Sequence, residues 1–203
     1  MMLSAQARNI GLRSRRVLCL TNGVDMIFRF ILTAFFVCTS FAAFAEEPTT
    51  GPYVDAGGLA FRVENRDVPL LDGHQYRVVF EATEYSGEAT DVNRELTVVA
   101  RFLNMHGKNG VPLEDMEIAV VVHGRTLMAA LNDEAYERIN GTKNPSLELL
   151  TSLADAGVKF YACGQSLGFR GWSKDDLAEP MKVGLSAMTM LVTLQSDGYA
   201  FLP

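Results

Sequence analysis

In this sequence, Cys163 stands at the start of a short run of glycines and polar residues that suits sulfur chemistry. Cys163-Gly164-Gln165-Ser166 directly follows the apolar segment VKFYA (158–162), and Arg170-Gly171 closes the turn. The sulfur species that attacks or carries sulfur is the thiolate. Backbone N–H groups of a glycine-bearing turn, or of a following helix N-terminus, stabilise such an anion. Gly164 lets the backbone approach it closely. Two readings of the cysteine stay open. It is either a functional thiol at a strand end, with its sulfur at least partly reachable, or a buried cysteine acting as a small hydrophobe.

His123 ends a second apolar segment, MEIAVVV (116–122). It can hydrogen-bond the thiolate or shuttle a proton, or it can satisfy backbone groups at a strand end. Arg125 and Arg170 can hold an anion or the thiolate, or form surface ion pairs of little energetic weight. Other chemistry finds little support. His74, His106 and His123 are scattered, without metal-ligand spacing, so no metal site is expected. Glycine phosphate loops are missing from the sequence, no G-x-S-x-G elbow accompanies a plausible triad, and no organic cofactor is expected.

The compartment bears on that cysteine. Residues 30–45, FILTAFFVCTSFAAFA, carry no charge, follow Arg13, Arg15, Arg16 and Arg29, and end in Ala43-Phe44-Ala45 before Glu46. This order of basic, apolar and A-x-A segments predicts a signal peptide over residues 1–45 and a periplasmic location. The run is shorter than the ~20 residues of a membrane span, so no stable membrane insertion is expected after cleavage. Cys19 and Cys38 leave with the leader, and Cys163 remains alone in an oxidising compartment. The mature chain keeps 13 basic and 23 acidic residues, a net charge of −10. Without a basic cluster, a nucleic-acid partner is excluded from the expected set.

The elements that must position these residues follow from periodicity. Residues 46–75 form a polar lead-in with a short strand near 59–63, able to wrap the domain or to contact a neighbouring subunit. The domain proper runs over 76–203. Strands are predicted over 76–82, 116–122, 158–162, 183–185 and 199–202. One helix is capped by Thr90 or Asp91, with Val92, Leu96, Val99 and Leu103 on its buried face. Another begins at Asn144-Pro145 and ends before Gly157. A short helix start lies at 127–131, a further one at Ser173, and a last helix spans 187–195. Alternating strands and helices imply βαβ units. The expected fold is α/β, a flavodoxin-like three-layer sandwich with a mostly parallel sheet of about five strands. Ligands of such sheets bind outside the carboxyl ends of the strands. There the loops 83–87, 123–126 and 163–166 converge.

At these residues the sequence resembles the DsrE/DsrF-like sulfur-relay family, which includes the YchN-like proteins. The resemblance covers roughly 75–203 and rests on VVVHG (120–124) and DAGVKFYACGQSLGFRG (155–171). It implies that Cys163 is the sulfur carrier and that Arg170-Gly171 matches the family's Arg-Gly pair. It also implies a homo-oligomer, trimer or hexamer, that passes a persulfide between cysteines without metal or organic cofactor. The expected partners are a sulfane-sulfur donor and an acceptor thiol protein, and the expected role is that of a sulfurtransferase-like carrier. His123, Arg125, Gly164, Gln165, Ser166 and Arg170 are the expected supporting residues. The loop reads Gly164-Gln165-Ser166 where cytoplasmic carriers tend to have small apolar residues. The rival reading is a non-catalytic oligomeric protein that binds a small ligand and keeps Cys163 as a structural residue.

Overall fold

A computed structural model describes residues 47–84 and 87–203, which lie in one compact unit. The expected signal peptide and its cleavage site lie outside the described residues, as do Tyr85 and Ser86. Five strands form one sheet: β1 Tyr76–Ala82, β2 Met116–Val122, β3 Lys159–Cys163, β4 Met181–Gly184 and β5 Ala200–Leu202. Every pairing is parallel and the spatial order is β4-β3-β2-β1-β5. The α/β class and the parallel five-stranded sheet are as expected. The order is not that of flavodoxin itself, in which the second strand flanks the first on the outside.

This order decides how the two faces are covered. From β1 to β4 each strand is laid beside the last in one direction, so right-handed crossovers put their helices on one face. These helices are α1 Arg94–Lys108, α2 Asp133–Asn140, α3 Leu147–Asp155 and α4 Gly164–Arg170. Only the return from β4 to β5 crosses the other face, through α5 Ala187–Ser196. The core divides accordingly. Val78, Phe80, Ile118, Val120 and Phe160 pack with Leu96, Leu103, Leu150 and Leu167 of the helices on the first face. Val79, Ala119, Val121 and Cys163 pack with Ala187, Leu194 and Tyr199. Burial on both faces suits the near-continuous apolar run read over 116–122.

Several boundaries differ from the sequence reading, each for a local reason. The cap of α1 is Asn93, whose side chain accepts from Leu96 N, and Val92 lies exposed before the helix. Helix α3 begins after Ser146. Asn144 is instead buried, with its amide donating to the carbonyls of Ala129 and Leu131. Ser173 and Asp176 do form a capping box, but for a single 3-10 turn, Lys174–Asp176. Residues Gly124–Ala130 are likewise a 3-10 segment. In the lead-in, the expected strand reduces to one bridge, Thr49 to Ala60. That segment wraps α1. Asn104, fully buried, accepts from the N–H groups of Tyr53 and Val54 and donates to the carbonyls of Val54, Gly57 and Gly58.

Candidate functional site around Cys163

Adjacent strands β3 and β4 send their following helices to opposite faces of the sheet. A parallel sheet opens a crevice at such a point, beyond the strands' carboxyl ends. Cys163 sits there as the last residue of β3, in register with Gly184, the last of β4. The sequence reading placed it one position into a loop. In the structure there is no loop: Cys163 is itself the N-cap of α4, and its Sγ accepts from Ser166 N at 3.4 Å.

Two glycines make this corner close. A Cβ on Gly164 would stand 2.7 Å from the carbonyl oxygen of Gly184. A Cβ on Gly184 would stand 2.5 Å from Cγ of Met190. With neither present, the start of α5 reaches the sulfur, and the N–H of Ala187, its first residue, is among the groups that stabilise the thiolate. The start of α4 therefore hydrogen-bonds the sulfur, and the start of α5 packs beside it. Burial pushes the Cys163 thiol up. The Ser166 hydroxyl, with the N–H groups of Ser166, Ala187 and Gln165, outweighs it and holds the thiol below its ordinary value. The sulfur is also less reachable than its strand-end position suggested, because Cys163 is only 5% exposed. Exposed apolar side chains belong to the segments that meet here: Phe169 of α4, Leu185 after β4 and Met188 of α5.

The other expected residues divide. Gly164, Gln165 and Ser166 form the first turn of α4 and so stand at the sulfur. His123 continues β2 in extended conformation, one residue past the Val122–Ala162 pair, and so comes level with Cys163 on the neighbouring strand. Its ring engages Glu81 of β1, with Nε2 2.9 Å from Oε1. The Arg125 side chain turns outward to Glu84, 3.1 Å away. Arg170 donates to the carbonyl of Gly124 at 2.8 Å and lies over the Trp172 ring, tying α4 to the loop after β2. The sequence reading missed Gly184, Ser186, Ala187 and Glu81. Ser186 before an apolar helix is a legible cap, but only the strand order brings that cap to Cys163.

A cavity of about 390 Å³ lies at the opposite, amino edge of the sheet, lined by Arg66, Leu70, His74, Tyr76 and Asp115 among others. None of the groups around Cys163 borders it. Among the described residues, no cluster of three or more His, Cys, Asp or Glu is placed to hold a metal. Nor is any helix there long and apolar enough to cross a membrane.

Comparison with known proteins gives one family. The sequence model of the DsrE/DsrF-like family matches residues 74–203. A solved structure, the protein of unknown function MTH1491 from Methanobacterium thermoautotrophicum, is similar at 25% identity with a TM-score of 0.47. The similarity covers 63% of this chain and 98% of that one. No curated protein matches.

Proposed function

The chain belongs to the DsrE/DsrF-like family, and from that premise we propose that it is a periplasmic sulfur carrier that forms a persulfide on Cys163. Membership implies a sulfur-relay-related function in general. The finer reading is carried by one observation: at the switch between β3 and β4, Ser166 N donates to the Cys163 sulfur, and the N–H of Ala187, which packs on the same cysteine, also favours the thiolate. An inert core thiol has no use for such donors. A thiolate that must exist at neutral pH does.

The chemistry is thiolate exchange. The Cys163 thiolate attacks the outer sulfur of a donor persulfide. A new S–S bond forms on Sγ, the donor's own S–S bond breaks, and the electron pair leaves on the donor's inner sulfur as a thiolate. An acceptor thiolate then repeats the exchange on the Cys163 persulfide. No net oxidation occurs and no cofactor is called for.

Oligomeric assembly belongs to the same reading. Helix α5 buries Ala187 and Leu194 inward, yet its outward residues Met188 and Val192 are also apolar and exposed. With Leu185 just before the helix, also exposed, they make an apolar surface of the kind that a second copy covers. Export through residues 1–45 predicts a mature N-terminus at Glu46, which N-terminal sequencing of secreted protein checks.

One observation favours the rival, a non-catalytic ligand-binding protein with a structural cysteine: Cys163 is 5% exposed. Intact mass after treatment with a sulfane-sulfur donor separates the two. The carrier reading expects a gain of one sulfur by the mature protein and none by Cys163→Ser, which keeps the fold because serine is nearly isosteric. No gain by the folded wild-type protein at any pH assigns the chain to the rival.

A further inference from the structure

The carboxyl edge of the sheet brings a carboxylate, an imidazole and a thiol onto three successive strands. Val79 and Val121 face α5, as does Cys163. Side chains alternate along a strand, so Glu81 and His123, two residues further on, share that face. The ladder pairs Val122 with Ala162, and His123 keeps extended dihedrals, φ −151° and ψ −165°. His123 and Cys163 therefore stand side by side, about 4.8 Å apart in backbone position. On the far side of the imidazole, Glu81 Oε1 is 2.9 Å from Nε2. Both side chains are about three-quarters buried, at 25% and 28% exposure, so the pair is only partly screened by solvent.

We infer that His123, oriented by Glu81, accepts the Cys163 proton as the thiolate forms and returns it to the departing thiolate of the sulfur donor. An ionised carboxylate only accepts hydrogen bonds, so Nε2 carries the hydrogen toward Glu81 and Nδ1 is the accepting nitrogen. The proton leaves Sγ for the imidazole, and the imidazolium faces Glu81 on one side and the new thiolate on the other. After the exchange the donor's inner sulfur takes that proton, and the pair returns to its starting state. Glu81 touches neither sulfur, so it is a positioning residue. Its charge lies closer to the imidazole than to Cys163, so its attraction for the imidazolium outweighs its repulsion of the thiolate. Among the described residues, Lys182 of β4, in register with Tyr161, shares the α5 face one strand beyond Cys163, and the two arginines of the adjoining segments are engaged. Arg125 pairs with Glu84, and Arg170 donates to the carbonyl of Gly124. Helix α5 carries no charged residue.

This inference rests on the sulfur-carrier reading for its purpose, and its test is independent of sulfur uptake. The folded mature protein is alkylated with iodoacetamide between about pH 6 and 9.5, a range that spans the ordinary histidine and cysteine values. At a pH below the thiol pKa, raising that pKa by about one cuts the thiolate fraction about tenfold. H123Q is expected to react about tenfold more slowly than wild type near pH 6.5, and E81Q about threefold more slowly. Both should match wild type near pH 9.5, where solvent removes the proton; a loss that were merely structural would persist there. Wild-type rates in both variants near pH 6.5, or deficits unchanged near pH 9.5, overturn the inference. If the wild-type protein shows this dependence on His123 and Glu81 yet gains no sulfur from a donor, the proton-acceptor pair stands and the carrier reading falls.

Discussion

Substituting Gly164 by alanine tests whether the close corner between β3 and β4 creates the thiolate. The added Cβ would stand 2.7 Å from the Gly184 oxygen, 3.3 Å from the Leu185 oxygen and 3.4 Å from Val183 Cγ1. Ordinary carbon–oxygen contact needs at least about 3.2 Å, so β4 or the start of α4 must give by about half an ångström. The two nearest atoms are backbone and cannot rotate away. Overpacking of this kind costs about 1–3 kcal/mol. For a domain of this size that lowers Tm by roughly 2–4 °C per kcal/mol. The same displacement moves the α5 start away from the sulfur and weakens the Ala187 N–H contact, so the Cys163 pKa must rise. Gly168 is the internal control, because a Cβ there meets nothing within 4 Å in the same helix. Gly168→Ala should be neutral or stabilising by about 0.5–1 kcal/mol and leave the thiol unchanged. Thermal melting and alkylation rate against pH read both effects. If Gly164→Ala and Gly168→Ala behave alike in both assays, the argument from close approach is refuted.

Glu117 sits between Lys159, Tyr199 and Arg77 at the amino edge of the α5 face, and hydrogen bonds from Lys159 and Tyr199 lower its pKa to about 2. Its folded pKa is depressed, so its contribution is complete above the ordinary carboxylate value and fades as pH falls toward about 2. Glu117→Gln should cost about 1 kcal/mol at neutral pH, discounted for solvent screening, with the difference from wild type closing in acid; equal deficits in acid and at neutral pH would refute this. Asn104→Ala removes the partner of two N–H groups and three carbonyls in the segment that wraps α1. It should cost about 2–4 kcal/mol and expose residues 47–60 to protease, and a cleavage rate equal to wild type would count against that role. Met188→Glu and Val192→Glu place charge on the exposed apolar face of α5. Light scattering at micromolar concentration should show these variants dissociated and the wild type assembled; a wild-type monomer would remove the assembly from the reading.

Short-range physics made part of this protein legible from sequence alone. Strands β1 and β2 have the boundaries read from the sequence, because burial on both faces makes their centres apolar and leaves Arg77, Glu81 and Glu117 near the ends. Helix α5 and its Asp197-Gly198 stop were equally plain. The position of Cys163 at a strand end was visible too. Helix α4 was not: two glycines in seven residues read as a turn, and its helix depends on Leu167 docking into the core and on the cap supplied by Cys163. Helix α2 was missed because it is short and polar, with only Ala135 and Tyr136 buried, although Asn132 before Asp133-Glu134 was a usable start signal. The strand order was beyond local reading altogether. Which strand lies beside which depends on contacts between residues far apart in the chain, and local periodicity carries no record of them. That order alone leaves one face to a single helix, brings the start of that helix to the sulfur, and sets Glu81, His123 and Cys163 on the same face of three adjacent strands.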